Sequence, residues 1–539
     1  MATITRSAAA DEAHAGDIRG ALGTISLDDT APRAGLSAKL KTLLAIVGPG
    51  LIVMCGDNDV GAFSTYGQAG QNYGTRLLWT LLLLVPVLYV NQEMVLRLGA
   101  VTGVGHARLI IERFGKSWAM LMVADLIILN ALTLVTEFIG VSLALGHFGV
   151  SPYISVPLTA LLLIGATVSG SFVRWERLMF VFIAANFLII PLAVFSHPQP
   201  GPILHGLVLP GVQGGLTGTS VLLIIAIVGT TVAPWQLFFQ QSNIVDKRIT
   251  PRWISYERFD TILGSFVTVV GAIGLVVTCA FAFQGTRFVG HFADAGATAD
   301  ALRQTLGPVA GAMYAIVLLN ASLIGAAALA LATSYAVGDT FGIRHSLHVQ
   351  FGEAPAFYSS FIALVLCAAG IVLIPRAPLG LITTAVQALA GILLPSASTF
   401  LLILCNDRAV LGPWVNRPWV NAIAAVIISA LLMLSAILTI TTLFPGVDAT
   451  RLTEVLGLGL ALALGGAGIW AARQSRSGIE VPRPSREERE SWTMAPLALL
   501  DRPEPSAIRR VGMRVMGGYL AIAVLLLIVK SVQLATGHA

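Results

Sequence analysis

Gly56-Asp57-Asn58-Asp59-Val60-Gly61 interrupts a stretch, Gly48 to Trp79, that otherwise opens as a membrane-spanning helix would. Two carboxylates and an amide inside an apolar span cost several kcal/mol to bury unless a partner, an ion or water compensates them. A cation is the simplest compensation. The flanking glycines let the backbone unwind and expose carbonyl oxygens that a helix would hold in its own bonding. The expected chemistry is ion binding at Asp57 to Gly61; the alternative is a short polar loop joining two interfacial helices, with its acids in water.

A second interruption, Gly229-Thr230-Thr231-Val232-Ala233-Pro234-Trp235-Gln236, lies in a later apolar stretch. Proline removes a backbone hydrogen bond, and here Thr and Gln surround it rather than Leu. Alone it reads as a proline kink. Paired with the first break it reads as a transporter's binding site, because interrupted segments at corresponding positions of two repeats mark such sites.

The elements that must position these breaks are set by composition. With 539 residues, 56% of them hydrophobic and 11% charged, and a mean hydropathy of +0.82, the chain cannot present a soluble surface and reads as a polytopic membrane protein. The net charge of +5 resides between apolar spans, where orientation requires it, so it indicates topology and not nucleic acid. Cys55, Cys279, Cys367 and Cys405 lack CxxC spacing and read as packing residues. There is no phosphate-cradling loop, nucleophile elbow or His-Glu zinc motif, so neither an enzyme nor a resident cofactor is expected. His345, His348 and Glu353 form a loose group without metal-ligand spacing and read as solvated.

Apolar stretches fall at roughly 43–71 (broken), 76–98, 117–146, 155–170, 177–197, 218–242, 262–284, 309–337, 357–375, 380–404, 419–444, 453–471 and 513–534. Each is near the length needed to span a bilayer. The loops with Arg97, Arg108, Arg113, Lys116, Arg174, Arg177, Lys247, Arg248, Arg252, Arg258, Arg344, Arg408 and Arg417 alternate with the 147–154 and 198–217 loops, which hold no Lys or Arg. That bias predicts a multi-pass protein of the inner (plasma) membrane with a cytoplasmic amino terminus. The expected organisation is a disordered tail over 1–40, a transporter core over 41–472 with repeats at about 43–200 and 216–405 followed by two further helices, a cytoplasmic linker over 473–512, and a carboxyl-terminal span within 513–539.

At the two breaks the sequence resembles the Nramp family of divalent metal transporters. The resemblance rests on Gly48-Pro49-Gly50, Asp59-Val60-Gly61-Ala62, Gln68-Ala69-Gly70, Tyr73-Gly74 through Trp79, Gln92-Glu93, Arg97-Leu98-Gly99, Glu137-Phe138-Ile139-Gly140, Leu394-Pro395 and Asn406-Asp407-Arg408. It implies an all-helical, LeuT-like fold of two inverted five-helix repeats with broken first and sixth helices. It also implies roles. Asp59 matches the family's metal-binding aspartate. Asp57 and Asn58 line the site or hold water around the ion, or instead cap the broken helix. The Ala233 carbonyl faces the ion, Gln236 contributes from the side, and Gln387 is a further candidate, although a buried amide is as readily satisfied by neighbouring helices.

The departures from the family pattern set the expected substrate. Where the family has Met-Pro-His-Asn in the sixth span, this chain has Ala233-Pro234-Trp235-Gln236. Without a thioether the site is built from oxygen, which suits Mg²⁺ with Mn²⁺ as a near neighbour, and resembles the Nramp-related magnesium transporters. Gln240 and Leu134 stand where the family has proton-pathway groups, leaving Glu137. The expectation is alternating access without strong proton coupling, driven by a membrane potential worth about 2.3 kcal/mol per charge per 100 mV. Two alternatives stand beside it: a proton-coupled Mn²⁺ or Fe²⁺ importer of the conventional type, and a non-transporting membrane protein that senses metal. The expected partners are a divalent metal ion and the lipid bilayer.

Overall fold

The computed structural model describes residues 14–29, 31–212, 214–374, 379–444, 446–475, 485–500, 513–514 and 516–522. A small hairpin, β1 (Ile18–Gly20) and β2 (Gly23–Ile25), precedes α1 (Leu36–Ile46), and the first half of the core follows as α2 (Pro49–Gly56), α3 (Val60–Tyr73), α4 (Leu78–Thr102), α5 (His106–Phe114), α6 (Lys116–His147), α7 (Pro152–Val168), α8 (Phe172–Asn186) and α9 (Ile189–Phe195). After the connecting α10 (Pro200–Val208), the second half repeats the series: α11 (Gly218–Thr231), α12 (Pro234–Asp246), α13 (Ile254–Ala282), α14 (Ala295–Thr305), α15 (Pro308–Phe341), α16 (Pro355–Val372) and α17 (Leu379–Cys405). The short α18 (Arg408–Leu411) leads to α19 (Pro418–Leu443), α20 (Ala449–Ser475) and α21 (Arg486–Ser491).

The punctuation of this series is in the sequence. Pro49, Pro152, Pro200, Pro234, Pro308, Pro355 and Pro418 each open a helix, where a missing N–H costs nothing. Ser151, Ser171, Thr217 and Asp294 cap α7, α8, α11 and α14 with their side chains. Gly103 and Gly342 close α4 and α15 in the left-handed conformation.

The two halves are related by how they pack. α6 against α15 is the central contact; α4 packs on α12 as α13 packs on α3, α6 on α17 as α15 on α8, α6 on α16 as α15 on α7, and α5 on α6 as α14 on α15. Contacts that recur with the halves exchanged are what an inverted repeat requires. The chain is therefore an all-helical polytopic membrane protein of LeuT-like architecture. Among the described residues nine helices are long and apolar enough to cross a membrane, or up to eleven if each bent pair counts as one span.

Most of the loops that carry Lys and Arg gather at one end of this bundle, joined by Arg113 to Asp407, Arg258 to Glu93, Lys247 to Glu176 and Arg252 to the Asp29 carbonyl; Arg287 and Arg303 are among the exceptions. At the other end Trp79 Nε1 donates to the Gly211 carbonyl at 3.1 Å, and His147 meets Asp300 at 2.8 Å.

Three expectations change. Residues 14–29 and 31–40 are not a disordered tail: the hairpin buries Ile18 and Ile25 against α1, and Arg177 Nε donates to the Ala21 carbonyl. The first span does not run straight from 43, because α1 and α2 meet at 52°. Gly48 makes that bend at φ 151, and a Cβ there would collide with the Glu176 carboxylate. His345 is no solvated residue, since its Nε2 lies 3.1 Å from Asp339. Nearby, the buried Glu93 bridges Arg97 and Arg258. The expected span at 513–534 lies mostly outside the described residues.

Candidate metal centre

The first break is Asp57-Asn58-Asp59, between the end of α2 and the start of α3. Asp59 is extended (φ −74, ψ −171), and its Oδ1 accepts the Ala62 N–H at 2.9 Å, so it caps α3. The positive end of α3 thus offsets part of the cost of burying Asp59. Asp57 is 1% exposed, and neither of its carboxylate oxygens has a hydrogen-bond partner among the described residues. The two acids lie within electrostatic range of each other. Tyr66, one and a half turns into α3, lies within range of both.

The second break faces the first. Thr230 Oγ1 reaches Asp59 Oδ1 at 3.4 Å, and Thr231 Oγ1 pairs with the Tyr66 hydroxyl at 2.7 Å. α11 ends at Thr231 and α12 opens on Pro234. Because Pro234 has no N–H, the Thr230 carbonyl loses the donor that a continuous helix would give it. The Ala233 carbonyl accepts only a long bond, 3.3 Å, from the Gln236 N–H. The C-terminal ends of α2 and α11 therefore bring unspent carbonyl dipoles to the level of the two acids, which favours a cation.

Three side chains close the surround. Glu137 of α6 reaches Asp59 and the Val60 amide, yet neither of its oxygens makes a hydrogen bond of good geometry. Gln387 of α17 lies against Gly61, where a Cβ would strike its amide, and its Nε2 has no partner among the described residues. Gln236 is buried and its Oε1 accepts from Gln92 Nε2 at 2.9 Å, while its own Nε2 has no partner among the described residues.

Set against the expectations, Asp59, Asp57 and Gln387 gather around the break, with Ala233 and Gln236 on the second break. Asn58 does not join them. Its Nδ2 donates to the Thr268 carbonyl of α13 at 3.1 Å, and it fronts an apolar cavity of about 130 Å³ with Ile183, Phe187 and Gly271. Residues 57 to 59 cannot all point one way, and packing against α13 claims the middle one. As oriented, Gln236 turns its amide oxygen to Gln92, and its NH₂ group has no lone pair to offer a metal, so it could reach an ion only through the oxygen's second lone pair. Sequence reasoning missed Thr230 and Tyr66; a hydroxyl in a transmembrane helix carries little signal, because it satisfies itself on the preceding turn as readily as on a ligand.

The arrangement can take a cation between Asp57, Asp59 and the free carbonyls, with Glu137 beside it as a further carboxylate. Among solved structures, the fold is similar to that of the Eremococcus coleocola manganese transporter in complex with an aromatic bis-isothiourea substituted compound, with a TM-score of 0.60 at 20% identity over 84% of this chain and 99% of that one. The divalent metal cation transporter MntH of Aeromonas hydrophila is 26% identical over 421 residues, 74% of this chain and 96% of its own. MntH 1 of Pseudomonas aeruginosa is 28% identical over 412 residues, 72% of this chain and 89% of its own. The family described as Nramp, natural resistance-associated macrophage protein-like, matches residues 50–441. That match takes in both breaks, the acids of the first and the helix carrying Gln387, and the chain belongs to the Nramp family.

Proposed function

We propose that this protein moves divalent metal cations across the membrane by alternating access, with the ion held at Asp57 and Asp59. The observation that carries this reading is a pair of carboxylates at an unwound helix, one of them buried with no hydrogen-bond partner among the described residues. Such a pair is tolerable inside a bilayer only when a cation or protons neutralise it. The relatives' names support a transition metal, Mn²⁺ foremost. Glu137 supports proton movement with the ion. A carboxylate against Asp59, with Gly325 the small neighbour that makes room for it, can take a proton when the metal leaves and release it when the metal returns, holding the local charge nearly constant.

A second reading, Mg²⁺ as substrate, is favoured by the donor set. Ala233 stands at the second break and brings only a backbone carbonyl, so the donors around Asp59 are oxygens, and amides that can hold an ion's retained waters suit an ion that dehydrates reluctantly. Oxygen ligands serve Mn²⁺ equally, so the two readings differ in selectivity and not in geometry.

Uptake of Mn²⁺ and Mg²⁺ into liposomes holding the purified chain, with internal pH recorded, separates them. Mn²⁺ entry with acidification that is lost in Glu137→Gln supports the first reading; Mg²⁺ entry without acidification supports the second. Binding without uptake of either ion would overturn transport in favour of a sensing role.

A further inference from the structure

At the basic end, α4, the start of α13, the connection into α19 and the segment bearing α21 enclose a cavity of about 230 Å³. Four guanidiniums line it, from Arg97, Arg258, Arg417 and Arg489, and a single carboxylate, Glu93. Glu93 is already shared between Arg97 Nη2 at 3.1 Å and Arg258 Nη2 at 2.6 Å. Arg97 also donates to the Trp414 carbonyl and Asn416 Oδ1, each at 2.5 Å. Arg417 is exposed and makes no ion pair among the described residues. Arg489 lies over the Trp414 ring at 5.2 Å, and its buried Nε has no partner. Burial, and then the neighbouring charges of Arg417, Arg258 and Arg97, hold the Arg489 guanidinium below the usual arginine range. A cluster so short of anions calls for one, and planar guanidiniums match phosphate oxygens.

The surroundings identify the source of that phosphate. Trp419 at the start of α19 is 56% exposed, and Ile423 and Val426 continue the same outward apolar face. Tyr89 and Trp414 line the cavity as well. Aromatic side chains where an apolar span begins mark headgroup depth, and a basic pocket between helices at that depth is where acidic headgroups bind. An adjoining cavity of about 340 Å³, which also touches Arg258, Trp414 and Arg489, extends the basic surface beneath α21. A ligand held here would bridge the transporter core to the 485–500 segment, which the core otherwise holds through contacts such as the 2.8 Å bond from Trp414 Nε1 to the Arg489 carbonyl.

We propose that this pocket binds the phosphate of an anionic phospholipid headgroup, with Arg258, Arg417 and Arg489 as its ligands and the acyl chains lying along α19. The pocket shares no lining residue with the metal centre and is independent of which metal is carried.

Native mass spectrometry of the full chain, released from detergent containing equal phosphatidylglycerol and phosphatidylcholine, counts the retained lipids. The expected result is a preference for phosphatidylglycerol of about tenfold, abolished in Arg417→Gln/Arg489→Gln and not displaced by millimolar inorganic phosphate. Should the double variant fail to fold, Arg417→Glu alone serves, because that side chain is exposed and unpaired; it should remove most of the preference. Equal retention of the two lipids, an unchanged preference in the variants, or displacement by inorganic phosphate would each overturn the proposal, the last in favour of a free phosphate site.

Discussion

Two groups of buried carboxylates sit in this bundle under opposite conditions. At the basic end three acids, Glu176, Asp260 and Asp246, are fully bonded. Glu176 accepts from Lys247 Nζ at 2.6 Å and the Ala21 N–H at 2.5 Å. Asp260 takes the N–H groups of Gly48, Gly50 and Leu51 at 3.1, 2.7 and 3.3 Å. Asp246 holds the Tyr335 hydroxyl, Ser346 Oγ and the Leu347 N–H at 2.5, 2.5 and 2.9 Å. At the centre, Asp57 and Glu137 have no partner of good geometry, and Asp59 has only the Ala62 N–H and a long contact from Thr230. Buried charge that is fully bonded fixes a structure; buried charge left unbonded is tolerated only where something else comes and goes. The first group tells how the helices are held, and the second tells what they hold.

Asp59→Ala separates the two most sharply. It should reduce metal uptake to background while lowering stability by only about 1 kcal/mol, the cost of a lost helix cap; uptake assays beside a thermal melt read both, and a collapse of the fold would break the contrast. Asp260→Ala should do the reverse, stranding three buried N–H groups at about 1–3 kcal/mol each, so that little folded protein survives extraction. Gly61→Ala drives a methyl into Gln387. Overpacking of about 1–3 kcal/mol should leave the chain folded and slow uptake, measured as a lower rate at saturating metal.

The contrast also has an internal control. Glu257, at the basic end, is buried with neither oxygen bonded. If bonding and not location decides, Asp57→Asn and Glu257→Gln should each leave metal-free stability unchanged or raise it by about 1 kcal/mol, and only Asp57→Asn should shrink the gain in melting temperature on adding Mn²⁺. The smallest effect concerns the loop after α15. Burial disfavours charge on His345, but Asp339 at 3.1 Å, with the Ile343 carbonyl and Asp246, holds its imidazole above the usual range. A raised folded value means the contact stabilises fully below the ordinary imidazole range and is lost as pH rises through the folded value. The difference in melting temperature between the native chain and His345→Gln should therefore be larger at pH 5.5 than at pH 8.5.

Both breaks, and the pairing of the halves, were legible in the chain because polar residues and proline are conspicuous against an apolar background. Asp59 was legible for the same reason. Asn58 was not: adjacent residues in an unwound segment diverge, and the Thr268 carbonyl, 210 positions away, captured its amide. Gln236 drew attention by its place at the second break, but the sequence could not reveal that its oxygen accepts from Gln92. The bend between α1 and α2 was hidden for a related reason. Gly48 is one glycine among 54, and only the Glu176 carboxylate pressing on it requires a residue without a side chain there.

What the sequence determined alone is what short-range physics determines: which stretches are apolar enough to span, where each helix starts and breaks, and that charge must be compensated near residue 59. What the tertiary structure decided is which polar groups meet. The partnership of Asp59 with Thr230, of Glu93 with Arg258, and of the amino-terminal hairpin with α8 depends on segments brought together from far apart. A residue's type fixes what it can bond, and the packing of the helices fixes what is within its reach.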